Sequence, residues 1–145
     1  MPEDVATAAR LHFLDAIGVG LAAAGSPIGA AYRAYATDVA KGGPATVFGQ
    51  VTGASAADAA MINGGLIHSL EFDDTHTGSI AHGSAVLAAG ALAVAEAQNA
   101  SGAALLGAYA RAWEVLIRFG LAAPNGFHAK GFMSTSVTGT FAVAL

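Results

Sequence analysis

Polar chemistry in this chain is concentrated in one stretch, which holds His68, Glu71, Asp73, Asp74, Thr75, His76, Thr77, Ser79 and His82. Carboxylates and imidazoles are the side chains that exchange protons most readily near neutral pH, so their clustering predicts general acid–base chemistry. If His68 to Thr75 is helical, His68, Glu71 and Thr75 share a face at spacings of three and four, with Asp74 beside them and Asp73 turned away. His82-Gly83-Ser84 stands just before a further helix, where free backbone N–H groups attract anions. A substrate carboxylate is expected to lodge there, against Ser84. The candidate catalytic residues are therefore His82, Thr75, Asp74 and Glu71.

An acidic cluster at a helix end is often no more than a solvated turn. Its density in a chain with only 11% charged residues argues for a site. Asp73, Asp74, His76 and His82 are acceptable ligands for zinc or iron, but their spacing matches no firm metal signature. No metal or other cofactor is expected, and metal-dependent hydrolysis is the least favoured alternative. A second polar patch runs from Asn125 to Ser136, a Gly-rich loop with His128, Lys130 and three hydroxyls. Such loops position ligands, which makes His128 and Lys130 candidate substrate-binding residues. Arg111, Glu114 and Arg118 lie at helical spacing and read as an internal ion pair. Trp113 and the Phe and Tyr residues read as core.

The elements that must carry these residues are helices. Leu11, Leu14, Ile17 and Leu21 recur at three- and four-residue intervals, with acidic residues in the first turn, so a helix is predicted from Glu3 to about Ala24. A second covers Ile28 to Lys41, with Tyr32, Tyr35 and Val39 on one side, stopped by Gly42-Gly43-Pro44. Ala45 to Gly53 reads as a short extended segment or an irregular loop. Ser55 and Asp58 form a capping pair for a third helix, which Gly64-Gly65 bends or interrupts before Leu66 to Thr75. Ser84 is expected to cap a helix through about Gln98, and Ser101 another from Gly102 to Ala122. The last stretch, Thr135 to Leu145, is apolar and lacks a helix stop signal, so the sequence reads as cut off there.

At 145 residues, one domain is expected. Apolar residues make up 54% of it, and Ala and Gly dominate. The apolar runs beginning at Ile17 and Ala85 read as shorter than the roughly 20 residues a membrane span needs, so dense helix packing and oligomerisation are expected instead. With no cysteine, disulfides, thiolate metal sites and a cysteine nucleophile are excluded, and a cytoplasmic setting fits. The net charge of −4 with no basic cluster argues against nucleic acid, and the acidic start is no secretion signal. No repeat or interdomain linker is found, so the fold class is all-α, a helical bundle or array.

Several of these segments carry a resemblance. Leu14-Asp15-Ala16-Ile17-Gly18, the run from Ala60 to Thr75, His82-Gly83-Ser84-Ala85-Val86 and Trp113-Glu114-Val115 resemble, in order, motifs of the MmgE/PrpD family, over nearly all of the chain. The resemblance implies the N-terminal helical part of a two-domain, usually homodimeric enzyme. In that enzyme a helical domain built from both chain ends joins a smaller α+β lid domain, absent here. Members include 2-methylcitrate dehydratase and cis-aconitate decarboxylase, which act on small tricarboxylates without an iron–sulfur cluster.

By matching position, Glu71 falls where the family usually has an aspartate, Thr75 on its threonine and His82 on its histidine, with one residue of difference in loop length. Gly131-Phe132-Met133-Ser134-Thr135 stands where a Gly-Phe-His-Pro-Thr pattern is usual, so Met133 replaces an expected site histidine. The family's site lysine and tyrosine would lie beyond residue 145. The resemblance thus implies a lyase, expected to dehydrate a small hydroxy-tricarboxylate such as 2-methylcitrate, with this fragment alone inactive. Decarboxylation, epimerisation, a non-catalytic member and a helical dimerisation fragment are the alternatives.

Overall fold

The computed structural model describes residues 1–39 and 42–145. Among them are seven helices and no strand: α1 (Glu3–Ala24), α2 (Pro27–Val39), α3 (Ala56–His68), α4 (Gly83–Ala97), α5 (Gly102–Ala122), α6 (Gly126–Ala129) and α7 (Ser134–Ala142). The all-α expectation holds.

Glu3 and Asp4 sit in the first turn of α1, where the helix dipole favours negative charge. Gly25 closes the helix, and Pro27 opens α2 at the position where a missing N–H costs nothing. Tyr32 is half-buried while Tyr35 is exposed. The predicted end of this helix at Lys41 lies outside the described residues.

The Ala45–Gly53 stretch is an irregular loop closed by an isolated antiparallel bridge between Ala45 and Ala54. Asn63 of α3, fully buried, holds it by accepting from the Phe48 N–H at 2.9 Å and donating to the Thr46 carbonyl at 2.8 Å. The Glu96 carboxylate of α4 takes the Thr46 N–H and hydroxyl, each at 2.6 Å. Ser55 caps α3 as expected, accepting from the Asp58 N–H at 3.1 Å and donating to its carboxylate.

Of the expected bend or interruption at Gly64-Gly65, the interruption does not occur, since α3 runs through both glycines to His68. A Cβ on Gly64 would stand 2.8 Å from the Ala85 carbonyl oxygen of α4. The glycine is there to let two helix backbones meet, and the packing repays its poor helix propensity. Ser84 also departs from its predicted role. The capping position of α4 is His82, without a side-chain bond, and Ser84 lies inside the first turn with its hydroxyl directed elsewhere. Ser101 does cap α5, accepting from the Ala104 N–H at 3.2 Å.

The α3–α4 pair is the centre, with α1 and α2 on the α3 side and α5 and α7 on the α4 side. Ile62, Leu66, Ile67, Leu87, Leu116 and Tyr109 are its largest fully buried apolar side chains. Each aliphatic one among them contributes roughly 1.5–3 kcal/mol by leaving water. Phe13 of α1 meets Tyr109 of α5 edge to face at 5.2 Å. The leucine stripe that marks α1 in the sequence is not its packing face. Ala6, Ala9, Phe13, Ala16, Val19 and Ala23 are buried, while Leu11, Leu14 and Leu21 are exposed. The run beginning at Ile17 belongs to this 22-residue helix, which is long and apolar enough to cross a membrane by length and composition, a correction to its reading as too short.

Candidate active site

The α3 helix stops at His68, and the chain then turns twice through left-handed backbone. Glu71 has φ 51° and Ile80 φ 52°, conformations that cost a side-chain-bearing residue energy, most of all a β-branched one. The loop between them is closed by paired backbone bonds between His76 and Ala81, at 2.9 and 3.4 Å. It is tied to α7 because the Ser134 hydroxyl donates to the Ser79 carbonyl at 2.7 Å.

These turns overturn the expected helical face from His68 to Thr75, and with it the expected place of Asp73. Asp73 points inward, its side chain fully buried. One carboxylate oxygen lies 3.1 Å from Nδ1 of His68 and the other 3.5 Å from Nδ1 of His82. The two imidazoles meet at 4.8 Å between ring centres. Thr75 Oγ1 is 3.2 Å from the same Nδ1 of His82, and the His82 N–H donates to Thr135 Oγ1 at 2.9 Å. Glu71 stays at the rim, largely exposed, with one oxygen 3.7 Å from Nε2 of His68.

A carboxylate only accepts, so Asp73 takes the Nδ1–H of His68, while Nδ1 of His82 pairs with the Thr75 hydroxyl, which can donate or accept. Nε2 of His82 has no hydrogen-bond partner among the described residues, so it faces whatever ligand enters. An imidazole oriented in this way is equipped to take a proton from a substrate carbon and return it.

Asp74 faces the opposite way. Its Oδ1 accepts the Ser84 N–H at 3.0 Å, and its Oδ2 accepts the Ser84 hydroxyl at 2.5 Å and Nδ1 of His12 at 2.8 Å. The α4 N-terminus expected to receive a substrate carboxylate is therefore engaged by the protein's own carboxylate. Ser84 is buried, and its hydroxyl also meets the Tyr109 hydroxyl at 2.5 Å. Burial pushes the Tyr109 hydroxyl up to about 12 from 10.0.

His128 and Lys130 are exposed on and just after α6, and no hydrogen bond or ion pair links them to the cluster among the described residues. The same loop reaches the site through Thr135 instead. Met133 is half-exposed at the capping position of α7, next to this contact. Glu114 pairs with Arg118 on the surface, and Trp113 is partly buried. A cavity of about 320 Å³ opens between α1 and α5, lined by His12, Asp74, Thr75, Tyr109, Trp113 and Glu114 among others. Thr75 thus stands between the histidine cluster and this space.

The groups able to hold a metal ion differ from those read in the sequence. His68, Asp73 and His82 bring ligand atoms within 4.8 Å of one another. His76 is turned into its own loop, its Nδ1 taking the Ser79 N–H at 3.2 Å, and Asp74 is committed to Ser84 and His12.

The sequence reading missed Asp73 as the centre, and with it Thr135 and His12. For His12 and Thr135 no local signal existed, since both meet the loop from distant parts of the chain. Asp73 was signalled by its place in the acidic run but assigned to the wrong side by an assumed helix. Over residues 1–145 the chain matches the family described as MmgE/PrpD N-terminal domain. No curated protein matches it.

Proposed function

The chain belongs to the MmgE/PrpD family, and we propose that it carries the acid–base histidine of a lyase acting on a small carboxylate substrate. The observation that supports this is the oriented imidazole of His82, with Thr75 hydrogen-bonded to Nδ1, the buried Asp73 carboxylate 3.5 Å from the same atom, and Nε2 left for a ligand. In this reading Nε2 removes a proton from the carbon next to a substrate carboxylate. The electron pair forms the carbon–carbon double bond as the carbon–oxygen bond of the hydroxyl breaks, and the leaving oxygen takes a proton to depart as water. Glu71, exposed at the rim, would serve as a second proton carrier, and Thr75 would orient His82 or bond the substrate hydroxyl. The acidic surroundings require cationic groups from elsewhere in the enzyme to neutralise the substrate. A hydroxy-tricarboxylate such as 2-methylcitrate is the substrate class proposed, in a cytoplasmic homodimer.

Incubating the full-length protein with hydroxy-tricarboxylates and following the ultraviolet absorbance of the new conjugated double bond tests this. His82→Gln should lower kcat by about 10²–10⁴, the usual worth of a general acid or base. Carbon dioxide release without water loss would replace dehydration by decarboxylation. Met133, beside the Thr135 contact, favours one second reading: a member that has lost catalysis. An inactive native protein that gains turnover on Met133→His would establish that reading instead.

A further inference from the structure

The loop that carries Asp73 and Thr75 is held by side chains from three helices, and the residue between them is where they meet. Asp74 caps α4 from across the loop, taking the place of the local cap that His82 does not provide. Its carboxylate receives three donors: the N–H and hydroxyl of Ser84 and the His12 ring nitrogen. The direction of the chain behind it follows from proton counting. A carboxylate accepts, so Ser84 spends its single proton on Asp74 and must itself accept from Tyr109.

Tyr109 is fully buried in α5, and His12 stands half-exposed on α1. Both therefore brace one carboxylate oxygen, His12 directly and Tyr109 through the Ser84 hydroxyl. That carboxylate brackets the start of α4, and the residue at the α4 cap is His82. We infer that Tyr109 and His12 are positioning residues for the proposed lyase site, acting through Asp74 to hold Thr75 against His82. Neither touches the histidine cluster, and the inference rests on the lyase reading for its kinetic part only.

The test compares His12→Ala, His12→Gln and Tyr109→Phe in the full-length protein, alone and combined with Thr75→Val. His12→Ala and Tyr109→Phe should each lower kcat about five- to tenfold, the worth of one ordinary hydrogen bond felt through Asp74, with KM changed less than about twofold. His12→Gln, whose amide can donate in place of the ring, should restore most of the loss. In the Thr75→Val background the loss should vanish, because the two act along one line. A merely structural role would lower the melting temperature and leave kcat per folded molecule and this coupling unmoved, which would overturn the inference.

A second measurement works without turnover. Nitrogen NMR of the His82 ring reports which nitrogen carries the proton, and Tyr109→Phe, by loosening the Thr75 contact to Nδ1, should shift the division between the two. If the native protein has no lyase activity but the His82 signal shifts, the proposed reaction falls and the positioning stands. If the signal stays as in the native protein, the positioning falls.

Discussion

The Tyr109 hydroxyl has a predicted signature in stability as well as in catalysis. Tyr109→Phe keeps the ring, its contact with Phe13 and the shape of the core, and removes only the oxygen that donates to Ser84. Near pH 8 the loss is that of one buried hydrogen bond, about 1 kcal/mol. At high pH the sign reverses. The folded-state pKa is raised from 10.0 to about 12, so between those values the unfolded chain has released the proton while the folded chain keeps it. Rising pH then favours unfolding. The stability linked to the protonated hydroxyl is present below pH 10 and is lost as pH climbs through 12, amounting to about 3 kcal/mol in all and about half of that by pH 11. The phenylalanine variant has no such loss. It should be the less stable protein near pH 8, equal near pH 11 and the more stable near pH 12. Urea unfolding followed by far-ultraviolet circular dichroism at those values measures the difference. A stability difference that is constant across the range would refute the reasoning, because it would mean that Tyr109 ionises without cost in the folded state.

Two further outcomes concern the frame of the site. Asn63→Ala leaves the Phe48 N–H and the Thr46 carbonyl without their partner and should cost about 2–5 kcal/mol, measured by chemical denaturation, with faster amide exchange at Phe48; a cost under about 1 kcal/mol would count against the anchor. Gly83→Ala places a Cβ 2.3 Å from the Trp113 ring and should destabilise by about 1–3 kcal/mol with a shift in tryptophan fluorescence, whereas a gain in stability would show that the ring moves freely aside.

The helices were legible because their signals are local. Ser55, Ser101, Pro27 and Gly25 act within a turn of themselves, and the structure places each boundary within a residue or so of where they indicate. Which face of a helix packs was not legible in the same way. In α1 the leucines supply the periodic signal, but the alanine face is the one that lets α3 and α5 approach closely. Glycine carries the same ambiguity: Gly64-Gly65 looks like a break by propensity and acts as a contact because Ala85 lies opposite. Within the site, residue types revealed the location and backbone geometry assigned the roles. A helical reading turns Asp73 outward, and the left-handed turn at Glu71 brings it in. Ser84 and Asp74 were named as functional, yet their partnership depends on a meeting across the loop that no spacing rule encodes.

The backbone contact at Gly64 also sets how finely the histidines are spaced. His68 ends α3 four residues beyond Gly64, and His82 immediately precedes α4, three residues before Ala85, so the two imidazoles are tips of a caliper whose jaws are helices. Flexible side chains at that seam would let the jaws close by different amounts as they changed rotamer. A glycine against a carbonyl oxygen has no rotamer to change. The gap at the tips is therefore gauged by main chain, and variation in the sequence around the site can alter what the tips carry without altering how far apart they stand.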